Sequence, residues 1–188
     1  MTNRLPLVLG LLILAGCSEQ TSKAADGPAA AQTVAYMVFG LEEGTPLPAD
    51  MNEHPPVFHE TSAEPLTYVA ESQGNQTTIT INHTDDCTYL VDLASIKKSS
   101  NSKEEVKLTF DFRSLSGVSY LEMPAAMGSS QRGTTLTGAN ITCNGDGELC
   151  SFVQRTKSWP LRYGDKDPGR LSTVVGNFQT KFCKGEPS

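Results

Sequence analysis

Apolar and polar positions alternate most cleanly over residues 106–112, where Val106, Leu108, Phe110 and Phe112 share one face and Lys107, Thr109 and Asp111 the other. A period of two with one apolar face predicts a half-buried antiparallel strand. Shorter stretches repeat the pattern: residues 66–71, 77–82 after the Gly74-Asn75 turn, 87–93 after Asp85-Asp86, 118–123 and 134–143. Residues 33–41, rich in Val, Tyr, Met and Phe, read as the first strand, and residues 149–156 as the strand returning from an Asn144-Gly145 hairpin. Short strands at close intervals with turn residues between them predict a mainly β fold, an antiparallel β-sandwich or a barrel-like domain.

The period changes near the C-terminus. Asp167 stands where an N-cap belongs and Pro168 where a first helical residue belongs, and Leu171, Val174, Val175, Phe178 and Phe182 then recur at helical spacing. A helix over residues 168–183 is expected, with an edge strand as the alternative because Gly176 and the β-branched Thr173, Val174 and Val175 weaken helix propensity. Residues 42–65 carry Pro46, Pro48, Pro55, Pro56 and Pro65 and read as one long loop; residues 95–105 read as a polar loop. Residues 18–32 lack bulky apolar side chains and are expected to be a flexible tether of about 20 Å root-mean-square reach.

Ahead of that tether, residues 5–14 are apolar apart from Pro6 and Gly10, Arg4 supplies a positive charge, and the small residues Ala15 and Gly16 precede Cys17. A bilayer-spanning helix needs about 20 apolar residues, so this shorter run reads as a secretory signal. The stretch Leu14-Ala15-Gly16-Cys17 resembles the signal of bacterial lipoproteins, whose motif is L-[AS]-[GA]-C. The resemblance covers about the first twenty residues. It implies that residues 1–16 are removed and that the Cys17 thiol carries diacylglycerol. It also implies a fatty acyl chain such as palmitate on the new amine, so that the partner held through Cys17 is a lipid bilayer. Two or more acyl chains anchor a protein stably at ~0.8 kcal/mol per buried methylene. Ser18 follows the cysteine where an aspartate would retain the protein at the inner membrane. For a Gram-negative source the resemblance therefore implies the outer membrane, with the protein facing the periplasm. The expected organisation is a cleaved signal at 1–16, a lipidated cysteine and tether at 17–32, and a single β-rich periplasmic domain at 33–188.

Charge narrows the partners. Removing the signal takes one basic residue and no acid, which moves the net charge from −6 to −7. An acidic chain of this kind is not expected to bind nucleic acid. Residues 151–188 are nevertheless basic, with seven Lys or Arg against three acids. That asymmetry reads as a C-terminal segment packed on an acidic body, or as a basic face for an acidic partner.

The chain has five cysteines. Lipidation of Cys17 leaves Cys87, Cys143, Cys150 and Cys183, an even number that suits two disulfides in an oxidising compartment. The Asn144-Gly145 turn would bring Cys143 and Cys150 together, which leaves Cys87 for Cys183. Cys87–Cys143 with Cys150–Cys183 is the main competitor.

Residue patterns that carry chemistry are sparse. His54, His59 and His83 are the only histidines, and His59-Glu60 lacks the second histidine of a zincin helix, so they read as loop residues and no metal or cofactor is expected. Asn144, Asp146 and Glu148 begin like a calcium loop, but Leu149 and Arg155 occupy the glycine and glutamate positions. No G-x-S-x-G elbow is present, and Ser95-Ile96-Lys97-Lys98 comes without the K-T-G strand of penicillin-binding enzymes. The run Cys150-Ser151-Phe152-Val153 is faintly similar to the nucleophile motif of papain-like cell-wall endopeptidases, yet no histidine follows it to act as base. Trp159, Arg162 and Tyr163 form one aromatic, basic cluster and are candidate ligand contacts, with a core-covering loop as the other interpretation.

The expectation is a membrane-anchored periplasmic lipoprotein of non-enzymatic binding or scaffold type, meeting an envelope protein or polymer. Two rivals stand beside it. One is a small envelope-polymer hydrolase built on acid pairs such as Asp85-Asp86, Glu104-Glu105 and Asp165/Asp167. The other is a carrier of a small apolar ligand, with Val106, Leu108, Phe110 and Phe112 lining a barrel.

Overall fold

A computed structural model of the protein describes residues 23–47, 55–72, 74–122, 132–145, 147–157, 159 and 167–184. The chain is mainly antiparallel β with a C-terminal helix. Six strands form one sheet in the order β1 (His59–Ala63), β2 (Leu66–Ser72), β3 (Asn75–His83), β4 (Thr88–Lys97), β5 (Ser102–Asp111) and β8 (Asn140–Asn144). β6 (Gly117–Glu122) and β7 (Arg132–Thr137) pair as a separate two-stranded sheet. The large sheet is open, with β1 and β8 at its two edges, so the arrangement is layered and sandwich-like and not a closed barrel.

Alternation places the core. Leu66, Ile81, Val91, Leu108 and Cys143 lie side by side across five strands, and each is buried. Tyr89, Phe110 and Ile141 form the next buried row. The opposite face carries Thr67, Thr80, Asp92, Lys107 and Asn144 in one row, as expected of an antiparallel sheet with one wet face. The β4–β5 turn is tighter than the polar stretch 95–105 suggested. Both strands continue into it, and Lys97 pairs with Ser102.

Helix α1 (Lys23–Phe39) is the largest departure from the strand expected at 33–41. Locally, Val34, Tyr36, Val38 and Phe39 favour a strand. Upstream, however, Ala29, Ala30 and Ala31 are strong helix formers, and helix formed there propagates through the apolar residues, although Gly27 and Pro28 make its first turns poor ones. Val34 to Phe39 are all buried, which suits a helix apolar on every side and enclosed by its neighbours. The helix also overturns much of the tether expected at residues 18–32: helix begins at Lys23, and Ala30 and Ala31 already belong to the core.

Residues 149–156 are likewise helical and not a returning strand. α2 (Glu148–Thr156) buries Cys150 and Val153, three apart, with Glu148 in its first turn and Arg155 in its last, each at the dipole end that favours its charge. α3 (Pro168–Lys181) forms where the spacing predicts it. Asp167 Oδ1 accepts hydrogen bonds from the backbone N–H of Gly169 at 2.9 Å and Arg170 at 3.3 Å. α1 packs on β2, β3 and α3, while α3 packs on β6.

The stretch expected as one strand over 134–143 is divided between two sheets. Gly138, with φ +82°, turns the chain between β7 and β8. A Cβ there would sit 1.9 Å from the Ser114 carbonyl oxygen, so only glycine fits.

Candidate functional site

The long proline-bearing loop is a zipped hairpin at its base. Phe58 N–H donates to the Thr45 carbonyl, Gly44 N–H to Phe58, and Leu47 N–H to Pro56, with Pro46 and Val57 bridged. Zipping brings Glu43 against β1. One Glu43 oxygen lies 2.7 Å from His59 Nδ1 and the other accepts the Glu60 backbone N–H at 2.7 Å. An ionised carboxylate only accepts, so Nδ1 carries the proton in this contact. The bond from the Glu60 amide, then that from His59, holds the Glu43 carboxyl below its ordinary range.

Neighbouring side chains extend this patch. Gln32 Nε2 donates to Glu60 Oε2 at 3.0 Å, tying α1 to β1. Arg170, at the start of α3, makes a two-pronged ion pair with Glu42 and lies 4.4 Å over the Tyr36 ring. Tyr68, buried on β2, has its hydroxyl pushed up to about 12 by burial and by the Glu60, Glu43 and Glu42 charges. Glu42, Glu43 and Glu60 thus all act on Tyr68 within one patch. Both carboxylates of the Glu42-Glu43 pair are occupied by partners within the fold. Glu43 also caps an N–H on the outer edge of β1, where an unpaired strand edge would otherwise invite another chain.

Sequence reasoning did not find this patch. His59 and Glu60 were candidates only for metal, and Glu42 and Arg170 stand 128 positions apart. The one available signal was the pairing of a Glu-Glu and a His-Glu on either side of a proline-rich loop.

One member of each acid pair considered for hydrolysis is engaged within the fold. Asp85 Oδ1 accepts the backbone N–H of Cys87 at 2.9 Å and of Thr88 at 2.8 Å, and Oδ2 meets Arg113 at 2.6 Å. Those amide bonds, with Arg113 nearby, keep its carboxyl low. Arg113 also pairs with Asp111 at 3.0 Å. Glu105 is lowered by Lys103, 2.7 Å away. Asp167 caps α3; Asp165 lies outside the described residues.

Of the histidines and turn acids considered as metal ligands, His54 and Asp146 lie outside the described residues, His83 ends β3 beside Tyr89, and His59 meets Glu43. Among the described residues no three His, Cys, Asp or Glu side chains gather as metal ligands.

Trp159 is corrected from candidate ligand contact to core. It is only 3 % exposed, with its ring edge-on to Phe39 at 5.4 Å and to Phe110 at 5.8 Å. Its Nε1 is buried without a hydrogen-bond partner. Arg162 and Tyr163 lie outside the described residues. Of the positions considered for a carrier lining, Leu108 is buried, Phe110 and Phe112 stack at 5.9 Å, Phe112 meets Phe178 at 5.3 Å, and Val106 is partly buried against the same core.

The two disulfides join Cys143 to Cys150 and Cys87 to Cys183. The first ties α2 to β8, where Gln154 Nε2 also donates to the Cys143 carbonyl at 3.4 Å. The second binds the end of α3 to the foot of β4. Cys17 lies outside the described residues.

No family model, curated protein or solved structure matches this chain.

Proposed function

We propose that this protein is a lipid-anchored periplasmic domain of non-enzymatic binding or scaffold type. It is held to the outer membrane through acylated Cys17 and meets an envelope protein or polymer from there. One observation carries the proposal: helix α1, which is buried from Ala30 onward, begins at Lys23, six positions after the cysteine of the lipoprotein-like motif. An anchor at Cys17 would therefore lead within a few residues into a helix whose later turns are in the hydrophobic core, as suits a domain that must stand at a fixed place. Two supports come from the site. The described carboxylates of Glu42, Glu43 and Asp85 are engaged in holding loops and helices, and Trp159 is spent on packing. Two disulfides suit an oxidising compartment.

The test is fractionation and metabolic labelling. The wild-type protein is expected to sediment with membranes and to incorporate labelled palmitate, and Cys17→Ser to do neither. A Cys17→Ser protein that stays with membranes overturns the anchor. Turnover of peptidoglycan by the purified domain overturns the non-enzymatic assignment.

A further inference from the structure

The fold has two distinguishable ends. At one end lie the start of α1, the β1–β2 turn and the β3–β4 turn. Gly27 of α1 is beside His83, with an added Cβ 3.9 Å from the His83 ring, and a groove there is lined by Ala31, Ala63, Glu64, Leu66 and His83. The groove has a cavity volume of about 10 Å³, room for roughly one water molecule, so the two segments are in close apposition. The Cys87–Cys183 bridge belongs to the same end, because Cys87 leads directly into β4 opposite His83. At the other end lie the β2–β3 turn and the β4–β5 turn. β3 runs nine residues from one end to the other, about 30 Å at ~3.4 Å per residue.

We propose that the end built from the start of α1, the β1–β2 turn, the β3–β4 turn and the Cys87–Cys183 bridge faces the lipid surface, and that the β2–β3 and β4–β5 turns face away into the periplasm. The inference rests on the lipid anchor proposed for Cys17 and adds an orientation to it. Six backbone steps separate Cys17 from Lys23; fully extended, at ~3.6 Å each, they reach at most about 22 Å. The far turns stand about 30 Å from His83 along β3. An inverted domain would need the leash to cover that length, and it is too short in every conformation. The length of the leash does the orienting. Charge does not, because Glu64, Asp85 and Asp86 are exposed at the near end and an anionic surface would repel them. Nor does insertion, because Leu90, on the outer sheet face, is the one large apolar side chain strongly exposed among the described residues.

Orientation can be read by quenching with nitroxide-headgroup lipids in the full lipidated protein, reconstituted in phosphatidylethanolamine–phosphatidylglycerol vesicles. Trp159 is the only native tryptophan and supplies a constant background to subtract. Glu64→Trp and Asp86→Trp label the near end at exposed positions, and Ser100→Trp labels the β4–β5 turn. Quenching of Glu64→Trp and Asp86→Trp is expected to exceed that of Ser100→Trp several-fold. A Gly/Ser insert of about 20 residues between Ser22 and Lys23, adding roughly 65 Å of contour, is expected to abolish the difference. Flotation of the vesicles separates the two ways of failing. Protein that floats but shows equal or reversed quenching overturns the orientation alone. Protein that does not float overturns the lipid anchor, and the orientation with it.

Discussion

Cys183 lies two residues past the end of α3 and is bonded to Cys87 at the foot of β4, with Cα atoms 4.8 Å apart and 96 positions between them in the chain. The bridge closes the aromatic part of the core. Tyr89, next but one to Cys87, meets Phe178 of α3 at 6.0 Å, and Phe178 meets Phe112 at 5.3 Å. Asp85 and Arg113 hold the turn beside it, and Phe112 N–H donates to the Cys87 carbonyl.

Loop length ranks the two bridges. In the chain-entropy account, a 96-position closure contributes about 5 kcal/mol and a 7-position closure about 2.5 kcal/mol. Cys87→Ser with Cys183→Ser is therefore expected to lower the urea midpoint roughly twice as far as Cys143→Ser with Cys150→Ser. Equal losses would mean that the long bridge does not restrain the unfolded chain.

Trp159 offers an optical check. A single tryptophan at 3 % exposure should emit at short wavelength in the native protein and shift red on unfolding. Trp159→Ala is expected to cost about 3–5 kcal/mol through the cavity it leaves. Trp159→Phe should cost distinctly less, because it also removes a buried N–H without a partner. A native emission already at the red, solvent-exposed limit would contradict the packing.

Acid should loosen the Glu43 latch. Its carboxyl is lowered in the folded protein, so the folded state favours the ionised form. The contribution is fully present above the unfolded value near 4.5 and is lost as pH falls through the lower folded value. Glu43→Gln is expected to lower the urea midpoint modestly at neutral pH, to flatten the acid limb of a plot of midpoint against pH, and to converge on the wild type at low pH. An acid limb of unaltered slope would show the latch to be energetically silent.

The alkaline limb has the opposite sign. Tyr68 and Tyr89 are pushed up to about 12, chiefly by burial, so the folded state holds their protons more tightly than the unfolded state does near 10. Stability from these groups is complete below pH 10 and falls as pH rises toward 12. Ultraviolet titration should show Tyr68 and Tyr89 ionising late, and Tyr68→Phe should remove one late-ionising group.

Removal of the α3 cap tests local structure. Asp167→Ala should cost about 1 kcal/mol, whereas Asp167→Asn, which keeps an acceptor, should cost little. Equal destabilisation by the two would point to the charge and not to the cap.

Much of the sheet was legible from alternation, because a strand with one wet face writes its burial into every second residue. Residues 66–71, 77–82, 87–93 and 106–112 all lie in or run on from strands of the large sheet, and every second position (Leu66, Tyr68, Ala70; Ile79, Ile81; Tyr89, Val91; Leu108, Phe110) faces its core, while Leu90 lies on the outer face. The candidate site was not legible. Glu43, His59, Glu60 and Arg170 are unremarkable singly and become a unit only when the loop base closes and α3 docks.

Local chemistry in the chain by itself determined the period-two strands, the capped helix at Asp167-Pro168, and the turn that prefers Cys143 with Cys150. Each depends on neighbours within about ten positions. Tertiary structure decided the rest. The residues Val34–Phe39 are apolar in succession, so they carry no period that separates helix from strand, and enclosure on all sides selected the helix. Leu149–Thr156 became helical with Cys150 and Val153 turned to one buried side. Trp159 went inward because Phe39 and Phe110, 120 and 49 positions away, met there to receive it. Burial is a property of what surrounds a residue, and that is settled only when distant segments close on one another.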